Sequence, residues 1–251
     1  MILDVVALGY IKSSDHVIDL TFGGGKWWSL YQHPGQMTVN VDPETIDERG
    51  ASFWEEFGLE AYGICADFRN LGDAVADNSQ DVVVFDPPYV SMGGRATSGL
   101  PDFMDRYGLA NAASTPELLQ ADNEKGLREA MRIVKPGGLI LAKCAPYISS
   151  GVRKEGDWWA RDAALAMGLK VEDMLIHIGD VRAQPKDNPC KKCGSDGEVG
   201  VYVDGEIVGV SCCPKCGGTG RVLRKVKHAR NNYSVLWVFK KSKSRAPRKR
   251  T

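Results

Sequence analysis

No stretch of this chain approaches the ~18 consecutive apolar residues that a membrane-spanning helix requires. The opening residues, Met1-Ile2-Leu3-Asp4-Val5, carry no basic lead and no small-residue cleavage site, so no secretory leader is read there and a cytoplasmic location is expected. Net charge is missing as well: 32 Lys and Arg balance 32 Asp and Glu. Cysteine is scarce over most of the chain, and five of the seven fall between Cys190 and Cys216. In a reducing compartment such a cluster points to a bound metal rather than to disulfides. What is present is a globular composition over 251 residues, enough for one sizeable α/β core and a small module.

The zero net charge conceals an asymmetry. Residues 186–251 hold 16 Lys and Arg against 5 Asp and Glu, which leaves 16 against 27 in residues 1–185. An acidic body with a basic C-terminal quarter suggests that the C-terminal part meets a polyanion. A solubilising tail is the plainer reading for 240–250 taken alone.

The stretch that organises the chain is Asp81-Val-Val-Val-Phe-Asp-Pro-Pro-Tyr89. Val82 to Phe85 form a short β-rich apolar run of the kind found in a buried parallel strand. The two prolines stop the strand and stiffen its exit. Asp86 and Tyr89 then stand where open α/β sheets place their ligands. A carboxylate there can accept hydrogen bonds from an amine, and a ring beside it can stack on a flat base.

Asp86-Pro87-Pro88-Tyr89 resembles the D-P-P-Y motif of S-adenosylmethionine-dependent amino-methyltransferases, which methylate exocyclic nitrogens of adenine or, less often, cytosine. The resemblance covers about residues 13–180 and 230–240, in family order. It implies an α/β fold, a doubly wound Rossmann-like seven-stranded methyltransferase sheet, into which a small zinc ribbon is inserted. Asp86, Pro87, Pro88 and Tyr89 are then the expected catalytic residues. Asp86 and the Pro87 carbonyl would accept from the amine while Tyr89 stacks on the base.

The cofactor elements precede this motif. His16 to Leu20 is a strand, and Asp19 to Gly25 resembles the first methyltransferase motif, which implies that Asp19, Thr21, Phe22, Gly23 and Gly25 hold the methionine part. Lys26, Trp27 and Trp28 depart from the small residues usual there, as core or as entry lining. Met37 to Val41 is the second strand, and Asp42 at its end can take a ribose diol or cap a helix over 44–57. Ala61 to Cys65 is the third strand; the resemblance implies that Asp67 faces the adenine amine with Phe68 against the ring. Residues 90–115 read as a mobile flap over the substrate. Thr115 caps a helix over 116–133 whose buried side is Leu118, Leu119, Leu127, Ala130, Met131 and Val134, and Lys135-Pro136-Gly137-Gly138 ends it. Strands follow at 139–144, 170–178 and 232–240, with a helix over 157–167.

The domains expected are a methyltransferase domain of 1–180 plus 231–240, an insert of 181–230 and a basic tail of 241–251. In the insert, Cys190-x-x-Cys193 and Cys213-x-x-Cys216 are followed by glycines and supply four thiolates to one structural zinc. This resembles the ribbon repeats of DnaJ-type chaperones. Cys212 is a second choice for Cys213. Val203-Asp204-Gly205-Glu206 marks a hairpin turn. The partner expected is nucleic acid, DNA ahead of RNA, with no membrane. The rival readings are an RNA base amino-methyltransferase and a catalytically inactive zinc-dependent nucleic-acid-binding module.

Overall fold

The four residues Val82 to Phe85 are each at most 3 % exposed, which is possible only for a strand covered on both faces. The computed structural model describes residues 1–22, 27–28, 30, 37–41, 62–88, 113–149, 152–179, 187–223 and 233–243. Two compact units emerge, Met1–Gly179 with Tyr233–Thr251, and Asp180–Asn232.

The first unit is built on a seven-stranded sheet. Its strands are β1 (Val17–Asp19), β2 (Met37–Val41), β3 (Tyr62–Cys65), β4 (Gln80–Phe85), β5 (Val134–Cys144), β8 (Lys170–Ile178) and β13 (Tyr233–Lys240). The order is β3-β2-β1-β4-β5-β13-β8, parallel except that β13 runs antiparallel to both neighbours. A small hairpin, β6 (Tyr147–Ser149) with β7 (Val152–Lys154), follows β5. Strand order reverses between β1 and β4, which opens a crevice at their carboxyl ends.

The pleat sends alternate residues to opposite layers. Val83, Phe85, Ile140, Ala142, Trp237 and Phe239 pack with helices α2 (Pro116–Ile133) and α3 (Gly156–Ala166). Val82, Val84, Leu141, Leu236 and Val238 pack with helix α1 (Ile2–Ala7), Ile11 and Trp28 on the other face. Thr115 caps α2 as expected, its side chain accepting from the Leu118 N–H. The buried stripe of α2 is Leu119, Asn123, Gly126, Leu127, Ala130 and Ile133. Leu118, expected inside, is 53 % exposed, because it lies one residue off that stripe. Gly126 is where Phe68 and Phe85 press against the helix: a Cβ there would sit 2.6–2.7 Å from both rings.

The exit from α2 differs from expectation. Lys135 to Gly138 do not form a turn; they belong to β5, which begins at Val134 directly after the helix. The orphan carbonyls of the last turn are satisfied from outside. Asn78 and Ser79 N–H groups donate to Arg132 and Ile133, and the Lys241 ammonium donates to the carbonyls of Met131 and Val134. Lys241 also exchanges backbone hydrogen bonds with Gly137 and Gly138, so its backbone extends the β5–β13 pairing.

The second unit contains two antiparallel pairs, β9 (Asp187–Pro189) with β12 (Arg221–Leu223) and β10 (Glu198–Val203) with β11 (Glu206–Cys212). Asp204 and Gly205 both adopt positive φ, as a two-residue hairpin turn demands. The chain enters this unit after β8 and leaves it into β13, which pair with each other. Among the described residues no helix is long and apolar enough to cross a membrane.

Candidate active site and cysteine cluster

Two acids stand at the carboxyl ends of the adjacent strands β1 and β4. Asp19 closes β1 and is 2 % exposed; Asp86 follows β4. Thr21 ties them together. Its N–H donates to Asp19 Oδ1 at 3.0 Å, and its hydroxyl accepts the Asp86 N–H at 2.7 Å. The tandem tryptophans divide between the two acids. Trp28 donates its indole N–H to Asp19 Oδ2 at 2.8 Å, and Trp27 donates to Asp86 Oδ2 at 3.1 Å. Lys143, near the end of β5, brings its ammonium to the same Asp86 Oδ2 at 2.7 Å. Asp86 Oδ1 is buried and has no hydrogen-bond partner among the described residues. Such an atom costs free energy unless a ligand supplies a donor.

Asp19 is held by dipoles alone: no cation pairs with it among the described residues. Burial drives its carboxyl upward, the Trp28 and Thr21 N–H groups oppose this, and the neighbouring Asp86 adds to the rise, leaving it at about 7. A ligand that places a positive charge beside Asp19 relieves that strain. The chemistry of this acid therefore fits a cationic cofactor group.

The Pro-Pro turn is anchored on its other side. Pro87 is buried, and Asn123 of α2 donates its amide to the Pro88 carbonyl at 3.0 Å. A cavity of about 120 Å³ opens between α2, α3 and the end of β5, walled by Phe85, Pro87, Asn123, Lys143, Cys144 and Trp159 among others. Asn123 is 7 % exposed and its Oδ1 has no partner among the described residues. Burial, with Asp86 and Asp157 nearby, pushes the Cys144 thiol far up, so it offers no nucleophile.

Asp67 has both oxygens taken. Arg69 donates Nε to Oδ1 at 2.8 Å and Nη2 to Oδ2 at 2.7 Å, and its backbone N–H donates to Oδ1 at 2.8 Å. Burial raises this carboxyl, but the Arg69 bonds outweigh it and hold it below its ordinary range. Arg69 continues to Asp122 of α2 at 3.3 Å. Phe68 packs on Phe85 with ring centroids 5.9 Å apart. Phe22 is half-buried against the α1 layer. Gly23, Gly25, Asp42, Tyr89, the proposed helix over 44–57 and residues 90–112 lie outside the described residues.

Sequence reasoning marked Asp19, Thr21 and Asp86 and left Trp27, Trp28, Lys143 and Asn123 without a role. The two tryptophans had one signal: large indoles replaced the small residues usual after a glycine-rich turn. Asn123 had none, being one polar residue in a helix.

In the second unit the sulfurs of Cys190, Cys193, Cys213 and Cys216 all lie within 4.8 Å of one another. Cys190 and Cys213 are 3.8 Å apart and Cys193 and Cys216 3.7 Å apart. These separations are too long for disulfides. They match the ~3.8 Å edge of a tetrahedron with ~2.3 Å metal–sulfur bonds. Cys212 is exposed, so Cys213 is the fourth ligand candidate. The two knuckles mirror each other: Cys190 donates its N–H to the Gly220 carbonyl and Cys213 to the Gly197 carbonyl. At Gly197 and Gly220 a Cβ would overlap a carbonyl oxygen of the opposite knuckle, so glycine is required at both. The adjoining thiols of Cys190 and Cys193 titrate together and are driven apart: burial raises Cys190, but backbone N–H groups and neighbouring thiols outweigh it and draw Cys190 down, while burial and neighbouring thiols push Cys193 up. These donors fit one tetrahedral zinc.

Neither a family model nor a curated protein matches the chain. Solved structures do. An O-methyltransferase family protein from Burkholderia thailandensis superposes with a TM-score of 0.50 at 14 % identity, over 97 % of this chain and 56 % of that one. A chain from the complex between the Haloferax volcanii Trm112 methyltransferase activator and a candidate methyltransferase gives 0.50 at 15 %, over 94 % and 86 %. The fold is the Rossmann-like methyltransferase fold. In that fold the β1–β4 crevice holding Asp19 and Asp86 is the topological switch point.

Proposed function

We propose that this chain is an S-adenosylmethionine-dependent methyltransferase acting on the exocyclic N6 amine of adenine in DNA. The observation that carries this reading is Asp86 Oδ1, a buried acceptor with no partner among the described residues, at the carboxyl end of β4 in an Asp-Pro-Pro turn tied down on both sides. Asp19, Thr21, Phe22, Gly23, Gly25 and Asp42, with Phe68, form the expected cofactor side; Asp67 joins them only by giving up bonds to Arg69. The cofactor supplies an electrophilic methyl group on a sulfonium, and the buried charge of Asp19 favours a cationic group nearby.

The adenine amine is a weak nucleophile because its lone pair is delocalised into the ring. Asp86 Oδ1 accepts one amine N–H, with the Pro87 carbonyl as second acceptor. This draws the nitrogen towards a tetrahedral geometry and stabilises the positive charge it develops. Tyr89 stacks on the base, which must leave a duplex to arrive there. The four cysteines hold one zinc that folds the second unit. Phosphate contacts belong to the basic residues at 224–230 and 244–250. The stretch 187–223 itself carries 4 basic and 5 acidic residues and is a poor polyanion surface.

The test is transfer of tritiated methyl from S-adenosylmethionine to DNA and to RNA, followed by nucleoside analysis. N6-methyladenine in DNA is the expected product, and Asp86→Ala abolishes it while cofactor binding survives. Label confined to RNA makes the chain an RNA base amino-methyltransferase. No transfer to either, with nucleic acid still bound, makes it a binding module.

A further inference from the structure

We infer that Lys143 and Trp27 are positioning residues that hold Asp86 by its Oδ2 and so present its Oδ1 to the methyl acceptor. The inference rests on the amine-methylating reading of Asp86. Its basis is the division of labour at one carboxylate. Oδ2 receives two donors, the Lys143 ammonium at 2.7 Å and the Trp27 indole at 3.1 Å, while Oδ1 has no partner among the described residues. The side chains of Asp86 and Lys143 are only 19 % and 20 % exposed, and the acid Asp19 stands on the next strand. Polar atoms so far from solvent depend on partners inside the protein. Two donors arriving from different elements, β5 and the turn after β1, also fix the plane of the carboxylate. A carboxylate free to rotate would present either oxygen, and small misplacements at a reacting centre are costly.

The Lys143 charge opposes a positive nitrogen. It sits on the far oxygen, however, so the carboxylate lies between the ammonium and the acceptor and is nearer to each than they are to one another. Neither residue needs to touch substrate for this role. Both act through Asp86, which distinguishes them from a lysine that binds phosphate or a tryptophan that stacks on a base.

Lys143→Met keeps the aliphatic stem and removes the charge; Trp27→Phe keeps a ring and removes the N–H. Each is expected to lower the turnover number by about 10- to 100-fold, with KM for DNA and cofactor affinity unchanged. In an Asp86→Asn background, where the carboxylate is gone, each should change the residual rate by less than about threefold, the mark of residues acting through one group. The indole N–H resonance of Trp27, assigned from its loss in Trp27→Phe, should move towards the free-indole position in both Lys143→Met and Asp86→Asn. Undiminished or faster turnover in Lys143→Met overturns the inference, as does an equal loss in the Asp86→Asn background. A wild type that methylates no nucleic acid sinks the amine-methylating reading instead. In that case the Trp27 resonance still decides whether Lys143 holds the carboxylate.

Discussion

Asp19 shows how one side chain can couple stability, pH and ligand. Its folded carboxyl lies at about 7, against an ordinary value near 3.8, chiefly because it is buried. Between those values the folded protein holds a proton that the unfolded chain has released. Raising the pH therefore favours unfolding: the penalty is absent below the lower value, grows through the interval and is complete above the upper one. At ~1.4 kcal/mol per unit it reaches roughly 4 kcal/mol. Asp19→Asn should remove this slope, whatever constant cost follows from misaligned Trp28 and Thr21 donors. Urea unfolding of both proteins from pH 5 to 8 measures it; parallel pH profiles would show that Asp19 is not held protonated. A cofactor bearing a positive charge should recover much of the loss in the wild type.

At the scale of elements, α2 is the piece on which the site leans. It supplies Asn123 to the Pro88 carbonyl, Asp122 to Arg69 and the Gly126 gap in which Phe68 and Phe85 sit. Gly126→Ala tests that gap. Alanine favours an exposed helix by about 1 kcal/mol, but here the added methyl meets two rings, and overpacking costs about 1–3 kcal/mol. Net destabilisation of about 1–2 kcal/mol is expected from chemical denaturation; a stabilised variant would mean that the rings can shift. The passage from α2 into β5 also depends on distant chain, since Lys241 and Asn78 supply the donors that a local turn would have provided.

Across the whole molecule the two units are stabilised differently. The sheet unit has two apolar layers, whereas the buried cluster described in the second unit consists of Cys190, Cys193 and Cys213 with Val199, Cys216 and Val222 around them. A module with so little apolar core would gain most of its stability from a metal held by the four thiols, since structural zinc contributes about 10–16 kcal/mol in finger peptides. Cys190→Ser with Cys193→Ser should lose the metal and unfold 187–223. The sheet unit should keep its own melting transition and cofactor binding. Elemental analysis of the wild type should find about one zinc per chain. A metal-free wild type, or a double variant that still protects the amides of 198–212 from hydrogen exchange, would refute the metal-held unit.

The sequence carries plain signals for the strand at 82–85, the capped helix at 116–133, the hairpin around Asp204-Gly205 and the four clustered thiols. Each is a local matter: periodicity, a capping hydroxyl, a turn that demands positive φ, ligand spacing. It also marked Asp19, Thr21 and Asp86, because acids and glycines at strand ends carry a readable pattern. What surrounds those acids was settled by the fold. Trp27 and Lys143 are separated by more than a hundred residues, and nothing local makes them meet on one oxygen of Asp86; the parallel pairing of β1, β4 and β5 does. The same holds for Asp67, whose oxygens are closed by Arg69 two residues away through side-chain geometry that spacing does not reveal. It holds too for Lys241, read from charge as the start of a solvated tail, which reaches the end of α2 because β13 lies against β5.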